Sequence, residues 1–163
     1  MRAKPTTAAP TTKKGTLTKS TPLGAPEAAI NPLGLALTAD ATFVARGFAG
    51  NISHLTQLIK KAIQHEGFSL VDMFQPCFTF NKVNTYHYFK ERVTLLEEQG
   101  HNSHDKFAAW QKSNEKDTLP IGIFYESSDV PAFHQTLSQL ETGPLVHQSI
   151  SRIPMQKVFH SFQ

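Results

Sequence analysis

Apolar and polar positions alternate along the chain in two distinct rhythms, and the change of rhythm marks the elements. Asn31-Pro32 opens a helix, because asparagine caps and proline suits the first helical position, and Leu33-Gly-Leu-Ala-Leu-Thr-Ala follows. Phe43-Val-Ala-Arg-Gly-Phe is a compact run that reads as a short buried strand. From Ile52 to His65, behind Asn51 as a cap, Ile52, Leu55, Leu58, Ile59, Ala62 and Ile63 recur at helical spacing and leave Lys60, Lys61 and Gln64 to water. Gly67 ends that helix, and Phe68-Ser-Leu-Val-Asp-Met-Phe-Gln is a near-continuous apolar run stopped by Pro76, the pattern of a strand covered on both faces.

Strand, helix and strand make a βαβ unit, so the two strands are expected to be parallel neighbours joined by a right-handed crossover. Function in such sheets gathers at the carboxyl ends of strands, which directs attention to the loop beginning Gln75-Pro76-Cys77. A further helix is expected from about Thr85 to Glu98, a weaker one around Lys106 to Lys112, and a third apolar strand over Leu119-Pro-Ile-Gly-Ile-Phe-Tyr. Beyond Glu126 the periodicity fades, and short elements and turns are expected. No internal repeat is visible.

Composition changes this picture mainly at the amino-terminal end. Residues 1–26 are rich in Thr, Lys, Pro and Ala and poor in large apolar residues, so they are expected to be a flexible arm or a loop held by a partner. Charge is concentrated there too: Arg2, Lys4, Lys13, Lys14 and Lys19 face no acid within the first twenty residues, although the whole chain carries a net charge of only +3. Such an arm suits an anionic ligand or an acidic partner, or is simply solvated. The aromatics lie in apolar runs rather than among the lysines, which argues against nucleic acid.

The 163 residues suffice for one packed domain, and no apolar run reaches the roughly 18 residues that a membrane span needs. A single cysteine asks for no oxidising compartment, and a cytoplasmic protein is expected.

Candidate chemistry is sparse. Cys77 is a nucleophile, a metal ligand or an inert buried thiol, and the last is the commonest fate of a lone cysteine. No signature of a cysteine protease or transferase surrounds it, and a complete zinc or iron–sulfur site needs several thiolates or imidazoles. Asn81-Lys82-Val83-Asn84 offers amides and a cation that suit a negatively charged cofactor, and suit an ordinary turn and helix cap equally well. Arg46 ends the first strand where it meets either a carboxylate or phosphate ligand or a structural ion-pair partner. His101 and His104 stand in a Gly/Asn/Ser-rich stretch and read as surface histidines rather than a metal pair.

Several of these segments, taken in order, resemble the beta subunit of 2-oxoacid:ferredoxin oxidoreductases. They are Asn31-Pro-Leu-Gly-Leu-Ala-Leu37, Phe43-Val-Ala-Arg-Gly-Phe48, Gly67-Phe-Ser-Leu-Val-Asp72 and Gln75-Pro-Cys-Phe-Thr-Phe-Asn81, continued by Asn84-Thr-Tyr86, Tyr88-Phe-Lys-Glu-Arg92 and Ile121-Gly-Ile-Phe-Tyr125. The resemblance covers roughly residues 8 to 126. It implies an α/β fold, part of a thiamine-diphosphate-binding fold with a parallel sheet and flanking helices, plus a carboxy-terminal extension. The expected division is a basic arm over 1–26, the carboxy-terminal part of the thiamine-diphosphate-binding domain over 27–100, and the carboxy-terminal region of the subunit over 101–163.

By the same resemblance, members of the family decarboxylate a 2-oxoacid on thiamine diphosphate held with magnesium, pass electrons through a 4Fe-4S cluster to ferredoxin, and transfer the acyl group to coenzyme A. Cys77 corresponds to one cluster ligand, Asn81 and Lys82 lie beside it, and Lys13, Lys14, Lys19 and Arg46 are candidate anion contacts. The family's other cysteines and its Gly-Asp-Gly segment are absent here, so the chain alone is expected to be inactive. The implied partners are the alpha subunit, an amino-terminal half of the beta subunit, and ferredoxin. The alternative expectation is a non-catalytic remnant or interaction module that retains the fold.

Overall fold

The computed structural model describes residues 8–79, 81, 83–149 and 159–162. Elements follow in the order α1 (Pro32–Thr38), β1 (Phe43–Phe48), α2 (Ile52–Gln64), β2 (Ser69–Phe74), α3 (Tyr86–Lys90), β3 (Val93–Leu95), a 3-10 turn (Glu97–Gln99), α4 (Lys106–Ser113) and β4 (Leu119–Glu126). Asparagine and aspartate side chains start three of the helices. Asn31 accepts from the Gly34 amide, Asn51 from that of His54, and Asp105 from those of Phe107 and Ala108, each replacing a hydrogen bond that a helix start otherwise lacks.

One four-stranded sheet runs in the order β2-β1-β4-β3. β1 and β2 are parallel in unbroken register from Phe43↔Ser69 to Phe48↔Phe74, as the βαβ reading expects. The sheet as a whole is mixed rather than parallel, because β4 lies antiparallel to β1, with a register shift between Val44 and Ala45.

Both sheet faces are packed. Leu33 and Leu37 of α1, Ala109 of α4, Val44, Leu96 and Phe124 form one buried cluster; Leu58 of α2 covers Phe43, Ala45 and Ile123 in another. Burying a large side chain of this kind stabilises by roughly 1.5–3 kcal/mol. Phe107 and Trp110 of α4 stay partly exposed and line a shallow groove with Leu37 and Thr38 of α1.

Three expectations require correction. The helix expected from Thr85 to Glu98 stops at Lys90, because Val93-Thr-Leu95 pairs in parallel with Leu119–Ile121 as β3. β2 is not buried on both faces: it is half-buried along its length with Met73 exposed, and among the described residues it lies at an edge of the sheet. On α2 the apolar arc is wider than the sheet face it meets, so Leu58 is buried while Ile52, Ile59 and Ile63 are exposed.

Residues 8–26, expected as a flexible arm or partner-held loop, close on themselves through polar contacts instead of apolar burial. The Gly15 amide donates to the Ala25 carbonyl and the Ala25 amide to that of Thr16. Buried Thr18 binds the hydroxyls of Ser20 and Thr21 and accepts from the Thr21 amide.

Contacts divide the chain into two units, Met1–Val130 and Pro131–Gln163. The second has the short elements expected beyond Glu126, the 3-10 turns Phe133–Thr136, Ser138–Leu140 and Leu145–His147.

Candidate functional site

Because β1 and β2 are parallel, their carboxyl ends open at the same end of the sheet, and the chain leaves β2 there through Gln75-Pro76-Cys77. The loop is fixed at both ends. The Asn81 amide donates to the Cys77 carbonyl at 3.1 Å, and Asn81 Oδ1 accepts from the amides of Val83 and Asn84 at 2.9 and 3.0 Å. Thr85 caps α3, which sets Phe89 against Phe48 and Phe74 with ring centroids 5.9 and 5.2 Å apart. Asn81 thus shapes the turn that presents Cys77, which is exposed.

Arg46 and Asp72 occupy paired register positions on β1 and β2, and Arg46 Nε donates to Asp72 Oδ2 at 2.8 Å. The guanidinium carbon stands 4.8 Å from the Phe74 ring centre and 5.5 Å from that of Phe124. Arg46 is only 9% exposed. Burial of its charge is offset by the carboxylate and by the two ring faces.

A cavity of about 550 Å³ lies beside this pair and is lined by Arg46, Asp72, Gln75, Cys77 and Asn81, together with Asn31 from the start of α1. Asn31 Nδ2 donates to the Ser113 carbonyl at 3.0 Å, joining the start of α1 to the end of α4. Glu115 and Lys116 also face the cavity. The Thr118 hydroxyl, and after it the Lys112 ammonium, hold the Glu115 carboxyl below the usual carboxylate range, so it is ionised at neutral pH.

Of the residues singled out from sequence, Arg46, Cys77 and Asn81 come together on this cavity. Lys13, Lys14 and Lys19 are exposed and do not line it. Lys82 lies outside the described residues. His101 and His104 make ordinary contacts, each through a ring nitrogen to a carbonyl of β4, those of Phe124 and Glu126. Asp72 is legible in principle, since two parallel strands of equal length place it opposite Arg46. Asn31 reads from sequence only as a cap, and its link to Ser113, 82 residues away, leaves no local trace there.

The donor set limits what the chain holds by itself. A four-iron cluster takes four cysteine ligands, and the chain supplies one cysteine. Magnesium is bound by oxygen ligands, commonly one or two carboxylates with substrate phosphates. Among the described residues no group of three His, Cys, Asp or Glu side chains converges on a metal position. Cys77 alone therefore holds no such cluster, and any cluster it joined would need cysteines from elsewhere. No helix among the described residues is long and apolar enough to cross a membrane.

Comparison with known proteins bears on the same segment. Residues 77–142 match the family model for the C-terminal region of the pyruvate ferredoxin oxidoreductase beta subunit. The beta subunit of 2-oxoacid:ferredoxin oxidoreductase from Saccharolobus solfataricus is 40% identical over 143 residues, 81% of this chain and 47% of that subunit. The beta subunit of 2-oxoacid:ferredoxin oxidoreductase 1 from Aeropyrum pernix is 33% identical, over 81% of this chain and 45% of that subunit. Among solved structures, 2-oxoglutarate:ferredoxin oxidoreductase from Magnetococcus marinus, with 2-oxoglutarate, coenzyme A and succinyl-CoA bound, superposes with a TM-score of 0.78 at 31% identity, covering 95% of this chain and 52% of that one. The chain spans about half the length of the curated relatives it matches. With its mixed α/β sheet and the loop carrying Cys77, the chain is similar to 2-oxoacid:ferredoxin oxidoreductase beta subunits over about half of their length.

Proposed function

We propose that this chain works as part of a 2-oxoacid:ferredoxin oxidoreductase, in which Cys77 gives one thiolate to an iron–sulfur cluster and the remaining ligands come from the rest of a beta subunit. The observation that carries this reading is the position of Cys77: exposed, at the carboxyl end of β2, on a loop closed by Asn81 and facing a cavity with a buried cation in its wall. The relatives named above support it, as does the family model whose match begins at this cysteine.

When bound, the cofactors supply decarboxylation on thiamine diphosphate and electron passage through a four-iron cluster to ferredoxin, with coenzyme A as acyl acceptor. The chain's own share is positional. Asn81 sets the turn, Phe89 anchors its far end, and the Arg46–Asp72 pair keeps a fixed cation in the wall of the cavity that Cys77 lines. The working assembly takes in an alpha subunit and the part of the beta subunit that lies outside this chain's match.

Co-expression of the chain with those two partners tests the reading. A brown complex that reduces ferredoxin with a 2-oxoacid and coenzyme A is the expected result, and Cys77→Ala bleaches its visible absorption. A complex that forms but stays colourless, or a colour indifferent to Cys77→Ala, sinks the proposal.

A further inference from the structure

Arg46 is held through one of its three nitrogens. Nε donates to Asp72, and among the described residues nothing accepts a hydrogen bond from Nη1 or Nη2. Those two atoms carry four of the five N–H groups of a guanidinium. Donors on a residue only 9% exposed find partners as a rule, because leaving them unmet costs as much as a lost hydrogen bond. Neither Nη atom is among the fully enclosed unpaired side-chain atoms, which belong to His54 and Thr94, so both still reach open space. The space that Arg46 borders is the cavity of about 550 Å³.

The rest of the wall decides what those N–H groups can hold. With Nε fixed by Asp72 and the rings of Phe74 and Phe124 beside the guanidinium, its two-nitrogen edge is the part left to a ligand, and that edge matches two oxygens on one carbon or phosphorus. Charge separates the two. Asp72 is offset by Arg46 and Glu115 by Lys112 at 2.9 Å, so Lys116, which has no ion-pair partner among the described residues, leaves a single positive charge in excess. One negative charge on the ligand balances it, whereas a doubly charged ligand meets the carboxylates of Asp72 and Glu115 on the same wall. Ile30, Phe89 and Leu119 supply apolar surface to the cavity as well.

We infer that Arg46 anchors a binding site for a small monocarboxylic acid with a short aliphatic body. The Nη edge takes the carboxylate at two points, Lys116 adds long-range attraction, and Ile30, Phe89 and Leu119 cover the hydrocarbon. The volume lies within the roughly 300–1,000 Å³ of small-molecule sites. The inference rests on the cavity and not on the cluster ligation proposed for Cys77, so a colourless co-expressed complex leaves it standing.

The full chain is titrated with isovalerate at neutral pH and low ionic strength, by calorimetry and through the proton–nitrogen signals of its arginine side chains. Binding saturates at one site, and the Arg46 signals move with the heat released. Arg46→Lys keeps the charge without the planar fork and weakens binding about tenfold. Lys116→Gln, at an exposed residue, leaves thermal unfolding unchanged and weakens binding about twofold. Isoamyl alcohol, of similar shape but uncharged, binds at least about tenfold more weakly, and so does inorganic phosphate. The Arg46 signals of the unsubstituted chain carry the test should Arg46→Lys lose its fold by circular dichroism. No saturable binding, Arg46 signals that stay still while isovalerate binds, indifference to Arg46→Lys or Lys116→Gln in folded protein, or phosphate or the alcohol binding as tightly as the acid overturns the inference.

Discussion

Arg46 ties together the two strands whose ends carry the candidate site. Its Nε bond to Asp72 and its place between Phe74 and Phe124 make its removal costly: Arg46→Ala leaves a half-buried carboxylate without its cation and two rings without a contact. Loss of about 3 kcal/mol is expected, measured as a lower urea midpoint at unchanged slope. Arg46→Lys keeps the charge but not the planar stacking, so it recovers only about half of that loss. The alternatives left open for Arg46 by the sequence, ligand contact or ion-pair partner, are narrowed by this geometry to a residue that does the second while lining the cavity of the first.

At the scale of elements, the contact between α2 and β1 depends on Gly47. A Cβ built there falls 2.5 Å from Leu55 Cδ1, so the helix lies close to the strand because residue 47 has no side chain. Because Leu55 Cδ1 is the far end of a flexible side chain that can turn aside, Gly47→Ala is expected to lower stability by no more than about 1 kcal/mol through overpacking. In a Leu55→Ala background the added methyl costs much less, and a double-mutant cycle on thermal unfolding measures that coupling.

The helices and strands legible in the sequence are those with a strong local rhythm. Asn31, Asn51 and Pro32 announce the starts of α1 and α2, and the runs at Phe43 and Phe68 announce β1 and β2. β3 is not legible, because Val93-Thr-Leu95 becomes a strand only through pairing with Leu119–Ile121, a contact that local spacing does not encode. The direction of β4 escapes for the same reason: an apolar run shows that a strand is buried and says nothing of which way it lies beside its neighbour. At the site, the carboxyl-end rule locates Arg46 and Cys77, whereas the wall formed by Asn31 and Ser113 depends on how α1 and α4 pack.

Across the whole molecule, the two edges of the sheet differ in length among the described residues: β3 has three residues and β2 has six. The groove between α1 and α4 adds a practical consequence. Trp110 is the single tryptophan of the chain, so intrinsic fluorescence excited at the indole reports on that groove and nowhere else. Half-exposed as it is, it should be quenched by iodide in the isolated chain, and should lose that quenching and shift its emission to the blue if a companion polypeptide covers α4. Emission that a co-purifying companion leaves unchanged places the contact away from α4, so the groove serves as an optical gauge of which surface a companion covers.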